Sequence, residues 1–272
     1  MMKRSLHLAL SLAVAGGTVF AVPAAAQTQQ TGDTFHWTGR IPQGRWIRIR
    51  NLNGPITVGA ASGDNVEVTA TKRWRRGDPA DVHFETLKSG PNDADVEICA
   101  LWGADSHCDE RGSHNNGHHN RIRNNDVRVD FQVLVPRGVK VDVGSVNGDI
   151  RVDAATSEVD ASSVNGEVQV NTSGGPVNAT TVNGAVRATM GHFDSDEDMN
   201  FTTVNGSVVV EFTGDVGADV EMSTVNGSLH TDYEMTVSGR LDPKHLRAHI
   251  GKPGGPRIHL TTVNGSVELR RR

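Results

Sequence analysis

Four histidines and a cysteine, candidate metal ligands, crowd into residues 105–126, DSHCDERGSHNNGHHNRIRNND: His107, Cys108, His114, His118 and His119. Neutral imidazole with thiolate or carboxylate is a donor set for Zn²⁺ or Cu²⁺. The spacing fits no defined site, however, and the intervening Gly and Asn dilute the ligands. The expectation is a solvated loop with no resident metal and no cofactor. Cys99 and Cys108, the two cysteines of the chain, have eight residues between them. A local disulfide is the natural pairing in an oxidising compartment, with a zinc pair as the rival. A second chemical candidate is FDSDED, where Asp194, Asp196 and Asp198 alternate like the start of a calcium loop. Met199 stands where that loop needs Gly, and the distal Glu is missing at the required distance beyond Thr203 and Val204, so an acidic surface bulge is expected.

Enzymatic chemistry finds little support. Gly-x-Ser-x-Gly, His-Glu-x-x-His and the phosphate loop are missing from the sequence. Glycosidic cleavage needs two carboxyls on one face, whereas the outward polar residues, Asp142, Arg151, Asp160, Gln169 and Arg187, are scattered. The reading is no enzyme and no catalytic residue. The Asn-Gly-Ser acceptor tripeptides at 205, 226 and 264 are by-products of the repeat described next.

What must position all these groups is a repeat. Val-Asn-Gly occurs six times, with its Asn at 147, 165, 183, 205, 226 and 264, at intervals of 18, 18, 22, 21 and 38. The corners are Asn147-Gly148, Asn165-Gly166, Asn183-Gly184, Asn205-Gly206, Asn226-Gly227 and Asn264-Gly265. Counting from each Asn, positions −6 and −4 and positions +3 and +5 are apolar in eleven of twelve pairs, with polar residues between. That is a strand, a corner and a second strand, each with one buried face. The same ruler finds a seventh copy at Asn53-Gly54, flanked by Ile47, Ile49, Ile56 and Val58. A period near twenty predicts a solenoid. Asn-Gly between alternating segments is also the signature of a hairpin with positive φ, so an antiparallel meander is the alternative. Ser or Thr at −2 and Val at −1 in all six later copies favour like stacked on like. On that reading Asn forms ladders while Val and Thr tie coil to coil. The longest interval reads as a coil that has drifted from the pattern.

The ends and composition set the compartment. Lys3 and Arg4, an apolar run and Ala24-Ala25-Ala26 read as a secretory signal peptide over 1–26, with no membrane-spanning segment after cleavage. Its removal takes the formal charge from −5 to −7, which argues against nucleic acid. With 30 Gly, 4% aromatics and no long helical periodicity, the chain reads as all β. Segment 27–45 leads into an N-terminal β-region over 46–138 that holds the first repeat and the cysteine pair. Trp46, Trp74 and Trp102 there supply bulky cover for one end of the rod. Solenoid repeats fill 139–272, and Arg270–Arg272 would leave a charged far edge that discourages end-to-end pairing.

FHWTGRIPQGRWIRIRNLNGPITV, FQVLVPRGVKVDVGSVNGDIRV and VSGRLDPKHLRAHIGKPGGPRIHLTTVNGSVEL together resemble the bacterial "putative adhesin" family, a β-strand-repeat domain of unknown function in exported proteins. The resemblance covers about 34–272. It implies a right-handed parallel β-helix and an envelope or extracellular location, and it brings no catalytic residues. The expected protein is an all-β solenoid of about 20-residue coils with an N-terminal β-rich cap. It would be periplasmic or at the cell surface and bind protein or polysaccharide. A self-associating envelope scaffold is the alternative, and a polysaccharide-active enzyme a more distant one.

Overall fold

The computed structural model describes residues 26–109, 112–115, 125–191, 196–214, 216–239, 242–251 and 254–272. Within these the chain is all β. The only helical segments are the 3₁₀ turns Pro79–Asp81 and Pro91–Asp93, and two eleven-stranded, mostly parallel sheets carry the fold. One sheet takes the strand before each Asn-Gly corner, the other the strand after it. The Asn165 coil shows the plan: Val159–Asn165, the corner, then Val168–Thr172. It pairs in parallel with its neighbours at Val141↔Val159↔Val177 and Ile150↔Val168↔Val186, each an 18-residue offset. Parallel pairing excludes the antiparallel meander.

Alternation drives the stacking. Val159, Val168, Val170, Val177 and Val186 are fully buried between the sheets, and the same positions in the other coils join them in one core. A single coil could not bury these side chains, so each rung is stabilised by its neighbours.

The order of rungs departs from the order of the sequence at both ends. Along the stack the coils run Asn53, Asn147, Asn165, Asn183, Asn205, Asn264, Asn226. The last coil in sequence, Arg257–Asn264 with Val267–Arg271, is thus inserted between its two predecessors. The 38-residue interval is therefore not a drifted coil. After Leu229–Thr231 the chain leaves the pattern to form Thr236–Val237 and His245–Ile250, which cap the Asn226 coil with antiparallel pairing. It then returns one rung back. Arg270–Arg272 consequently do not guard the end of the rod, because Val267–Arg271 lies between Val208–Phe212 and Leu229–Thr231.

The opposite end mirrors this. Asp95–Trp102 and Arg128–Val135 pair in parallel with the two strands of the Asn53 coil, Ile47↔Val96 and Ile56↔Phe131. They make an eighth coil whose corner is replaced by residues 103–127. Antiparallel strands finish this end: Val82–Ser89 on one sheet, and Val66–Arg73, Thr34–Gly39 and Gln27–Thr31 on the other. The regions 46–138 and 139–272 share both sheets, so the strands continue without a break across that boundary.

Candidate functional site

The corner is a dense construction. Each −2 hydroxyl is nearly buried and donates to the carbonyl of the corner glycine one rung away: Ser145 to Gly54, Ser163 to Gly148, Thr181 to Gly166, Thr203 to Gly184, Thr262 to Gly206 and Thr224 to Gly265, all at 2.8–3.1 Å. The asparagines form a second ladder. Five amide-to-amide bonds of 2.8–2.9 Å join Asn147, Asn165, Asn183, Asn205, Asn264 and Asn226 in spatial order. Asn53 ends the series by donating to Val127 O at 3.0 Å.

Glycine is needed here for a reason the hairpin reading misses. Gly148, Gly166, Gly184, Gly206 and Gly227 do not have left-handed φ; only Gly54 (+122°) and Gly265 (+158°) do. What excludes a side chain is the neighbouring rung. A Cβ on Gly184 would sit 2.1 Å from Gly166 O, and one on Gly166 would sit 2.2 Å from Gly148 O. Both obstacles are backbone, so relief means spreading the coils. Gly184→Ala is expected to cost about 2–3 kcal/mol and lower Tm by roughly 5–10 °C. A melt indistinguishable from wild type would show that the coils spread freely.

Valine at −1 does not tie the coils from within. Val146, Val164, Val182, Val204, Val263 and Val225 are 37–61% exposed, and Leu52 extends the row. With the strand spacing of about 4.8 Å they form an apolar ridge about 30 Å long. The ridge lies beside the asparagine ladder and a row of small residues at −3: Gly144, Ser162, Thr180, Thr202, Thr261 and Ser223.

The outer charges are largely paired. Arg50 grips Asp142 through two 2.7 Å bonds and reaches Glu97 at 3.2 Å; Asp160 accepts from Asn178 at 2.8 Å. Arg151 meets Asp153 at 2.6 Å and Gln169 at 3.0 Å, while Arg187 meets Glu167 at 2.8 Å. Asp142 and Asp160 are neighbours in register, yet each is already engaged. Burial pushes the Glu97 carboxyl above its usual range, although Arg50 and Arg48 pull it back.

Among the described residues the candidate metal ligands that come together are Glu97, Cys99 and Cys108. Cys99 and Cys108 are joined as a disulfide with Cα atoms 6.2 Å apart, which leaves neither thiolate free for the nearby Glu97 to complete a metal set. His107 lies on Ser106–Asp109, whose antiparallel partner Gly112–Asn115 places His114 opposite it. His118 and His119 lie outside the described residues, as does Asp194. Asp198 is used structurally. It accepts Arg257 N–H at 3.1 Å and pairs with that guanidinium at 3.0 Å, which holds its carboxyl below the usual range and ties down the inserted coil.

A polar cluster invisible to spacing lies on the cap beyond the Asn226 coil. Asp219, Ser238 and His249 are separated by excursions of the chain and meet only because His245–Ile250 doubles back on Ala218–Asn226. The one available signal was alternation: Ala218, Val220 and Met222 are buried, as are Ala248 and Ile250, so Asp219 and His249 must face outward.

Among known proteins, no curated protein matches the sequence. Solved structures with a similar course include a putative cell adhesion protein from Clostridium sporogenes, at 8% identity and TM-score 0.49, covering 90% of this chain and 100% of that one. A putative adhesin from Bacteroides fragilis matches at 8% identity and TM-score 0.36, covering 89% of this chain and 98% of that one. The family model of Toastrack DUF4097, a domain of unknown function, matches residues 40–270, and the chain belongs to that family.

Proposed function

We propose that the protein is an exported envelope module that binds extended polymers, polysaccharide or protein, along its corner face. The observation that carries this reading is the regular row of exposed Leu52 and six valines beside an asparagine ladder. Such a face repeats one weak contact at every rung, so its affinity grows by multivalency. Along this face the protein acts by contact and needs no cofactor. The coils are taken as right-handed, as parallel crossovers nearly always are. The Cys99–Cys108 disulfide and the signal-like first 26 residues support export to the periplasm or cell surface. Among the described residues no helix is long and apolar enough to cross a membrane.

The test is retention on arrayed bacterial envelope polysaccharides and envelope proteins. Val164→Asp combined with Val204→Asp, two rungs apart on the ridge, should abolish retention while leaving thermal unfolding within a few degrees of wild type, because both side chains are exposed. Equal retention by the variant would remove the corner face from the reading. The same ridge also favours lateral self-association as a scaffold. Sedimentation velocity across concentration separates the two, since a persistent monomer eliminates the scaffold.

A further inference from the structure

Ser238, His249 and Asp219 are linked in a single hydrogen-bonded line across the cap. Strand alternation turns His249 and Asp219 outward on adjacent antiparallel strands, where they are register partners. The edge strand Thr236–Val237 ends beside them, and Ser238 N–H donates to Arg247 O at 2.8 Å. This places Ser238 Oγ 2.7 Å from His249 Nε2. On the other side of the ring His249 Nδ1 bonds Asp219 Oδ1. With Asp219 ionised, Nδ1 carries the proton, so Nε2 is the acceptor and the Ser238 hydroxyl the donor. That tautomer is the one in which an imidazole can draw the proton from a serine.

The surroundings fit a reacting site. A cavity of about 290 Å³ opens over these residues, and Arg247, Arg257 and His259 also line it. His249 and Asp219 remain about 30% exposed, so a substrate can reach them. Asp219 is further held by Gly254 N–H at 3.4 Å, and its carboxyl lies below the usual range, chiefly through the His249 bond. Glu221 is occupied separately by Arg247 at 2.9 Å and by His245 and His259 at 3.5 Å each. It therefore does not compete for His249.

We propose that Ser238 is the nucleophile, His249 the general base and Asp219 the positioning residue of a site that hydrolyses short acyl esters carried on extended chains. Ser238 Oγ adds to the ester carbonyl carbon as its proton passes to His249 Nε2. The bond from that carbon to the alcohol oxygen then breaks, and the alcohol leaves with the proton from His249. Water next attacks the acyl-serine, giving a proton to His249 that returns to Ser238 Oγ as the carboxylic acid departs. Arg247 and Arg257 line the cavity while paired with Glu221 and Asp198, so the wall carries both signs of charge. The open site on an exposed sheet face suits a small acyl group projecting from an extended polymer. This activity is independent of the corner face and can stand or fall without it.

The experiment treats the whole folded protein with a fluorophosphonate probe and, separately, with p-nitrophenyl acetate. The expected result is covalent label on Ser238, located by peptide mass spectrometry, and ester hydrolysis that falls at least tenfold in Ser238→Ala. Labelling is followed across pH in the wild type and in each variant. The charged and polar groups facing His249 are Asp219 and Glu221 on one neighbouring strand, Arg247 and His245 on its own strand, Arg257 and His259 beyond, and Ser238. Asp219→Asn should keep the labelled site but slow labelling about a hundredfold or more and change its pH profile, since the favoured tautomer is lost. Far-UV circular dichroism confirms that each variant is folded. Absence of label on Ser238 in the wild type, or unchanged hydrolysis in Ser238→Ala, overturns the proposal.

Discussion

Deleting residues 254–272 is expected to release three structural units rather than one. In an ordered repeat array the last coil is terminal, and its loss costs one interface. Here the last coil in sequence is an inner rung, and both of its strands have neighbours on both sides. Ile258, Leu260, Val267 and Leu269 are fully buried in the common core. At about 2 kcal/mol for each aliphatic side chain buried, their removal forfeits roughly 8 kcal/mol, a large share of the about 5–15 kcal/mol that stabilises a domain. The Asn226 coil and its antiparallel cap also lose the rung that joins them to the stack. Limited proteolysis should therefore cut throughout 213–253 in the truncated protein while the stack before residue 212 stays protected. Protection of 216–251 equal to that in the full chain would show that the Asn226 coil can dock directly onto the Asn205 coil.

Val168→Asp is the second large effect. Val168 is fully buried, with Ile150 and Val186 as its register partners above and below. A carboxylate there gains no cationic partner, and leaving such a charge buried costs on the order of 3–5 kcal/mol. For a chain of this size that lowers Tm by at least roughly 10 °C. The neighbouring residue is the control. Gln169 points outward between Arg151 and Arg187 in register, so Gln169→Asp should leave Tm nearly unchanged or raise it slightly. Equal melting of the two variants in a thermal scan would contradict the assignment of inward and outward faces.

Residues 139–227 were largely legible before any coordinates, because their information is local. The alternation around each Asn-Gly corner states which side chains go inward, and the fixed positions counted from each Asn state the register. The ladder of Asn165, Asn183 and Asn205 follows from that register alone. The role of glycine is not legible in the same way, since a corner in isolation shows a turn and not the carbonyl of the neighbouring rung that a Cβ would meet. The eighth coil was hidden because residues 103–127 replace its Asn-Gly corner. The candidate esterase site was hidden because alternation gives the facing of Asp219 and His249 but not their partners.

The sequence by itself thus determined the coil: its two strands, its inward face, its corner and its capacity to stack on a copy of itself. Only the tertiary structure decided the order of the coils. Every Val-Asn-Gly coil offers nearly the same ladder of backbone groups, apolar side chains and −2 hydroxyls to the rung above and below, so the local pattern lets several coils serve as neighbours. The choice falls to the segments that break the pattern, 61–127 and 232–256, which must cap the exposed sheet edges and then return the chain to an open rung. That return places Arg257–Asn264 between Met199–Thr202 and Ala218–Asn226, and it brings Asp219, His249 and Ser238 together on the cap.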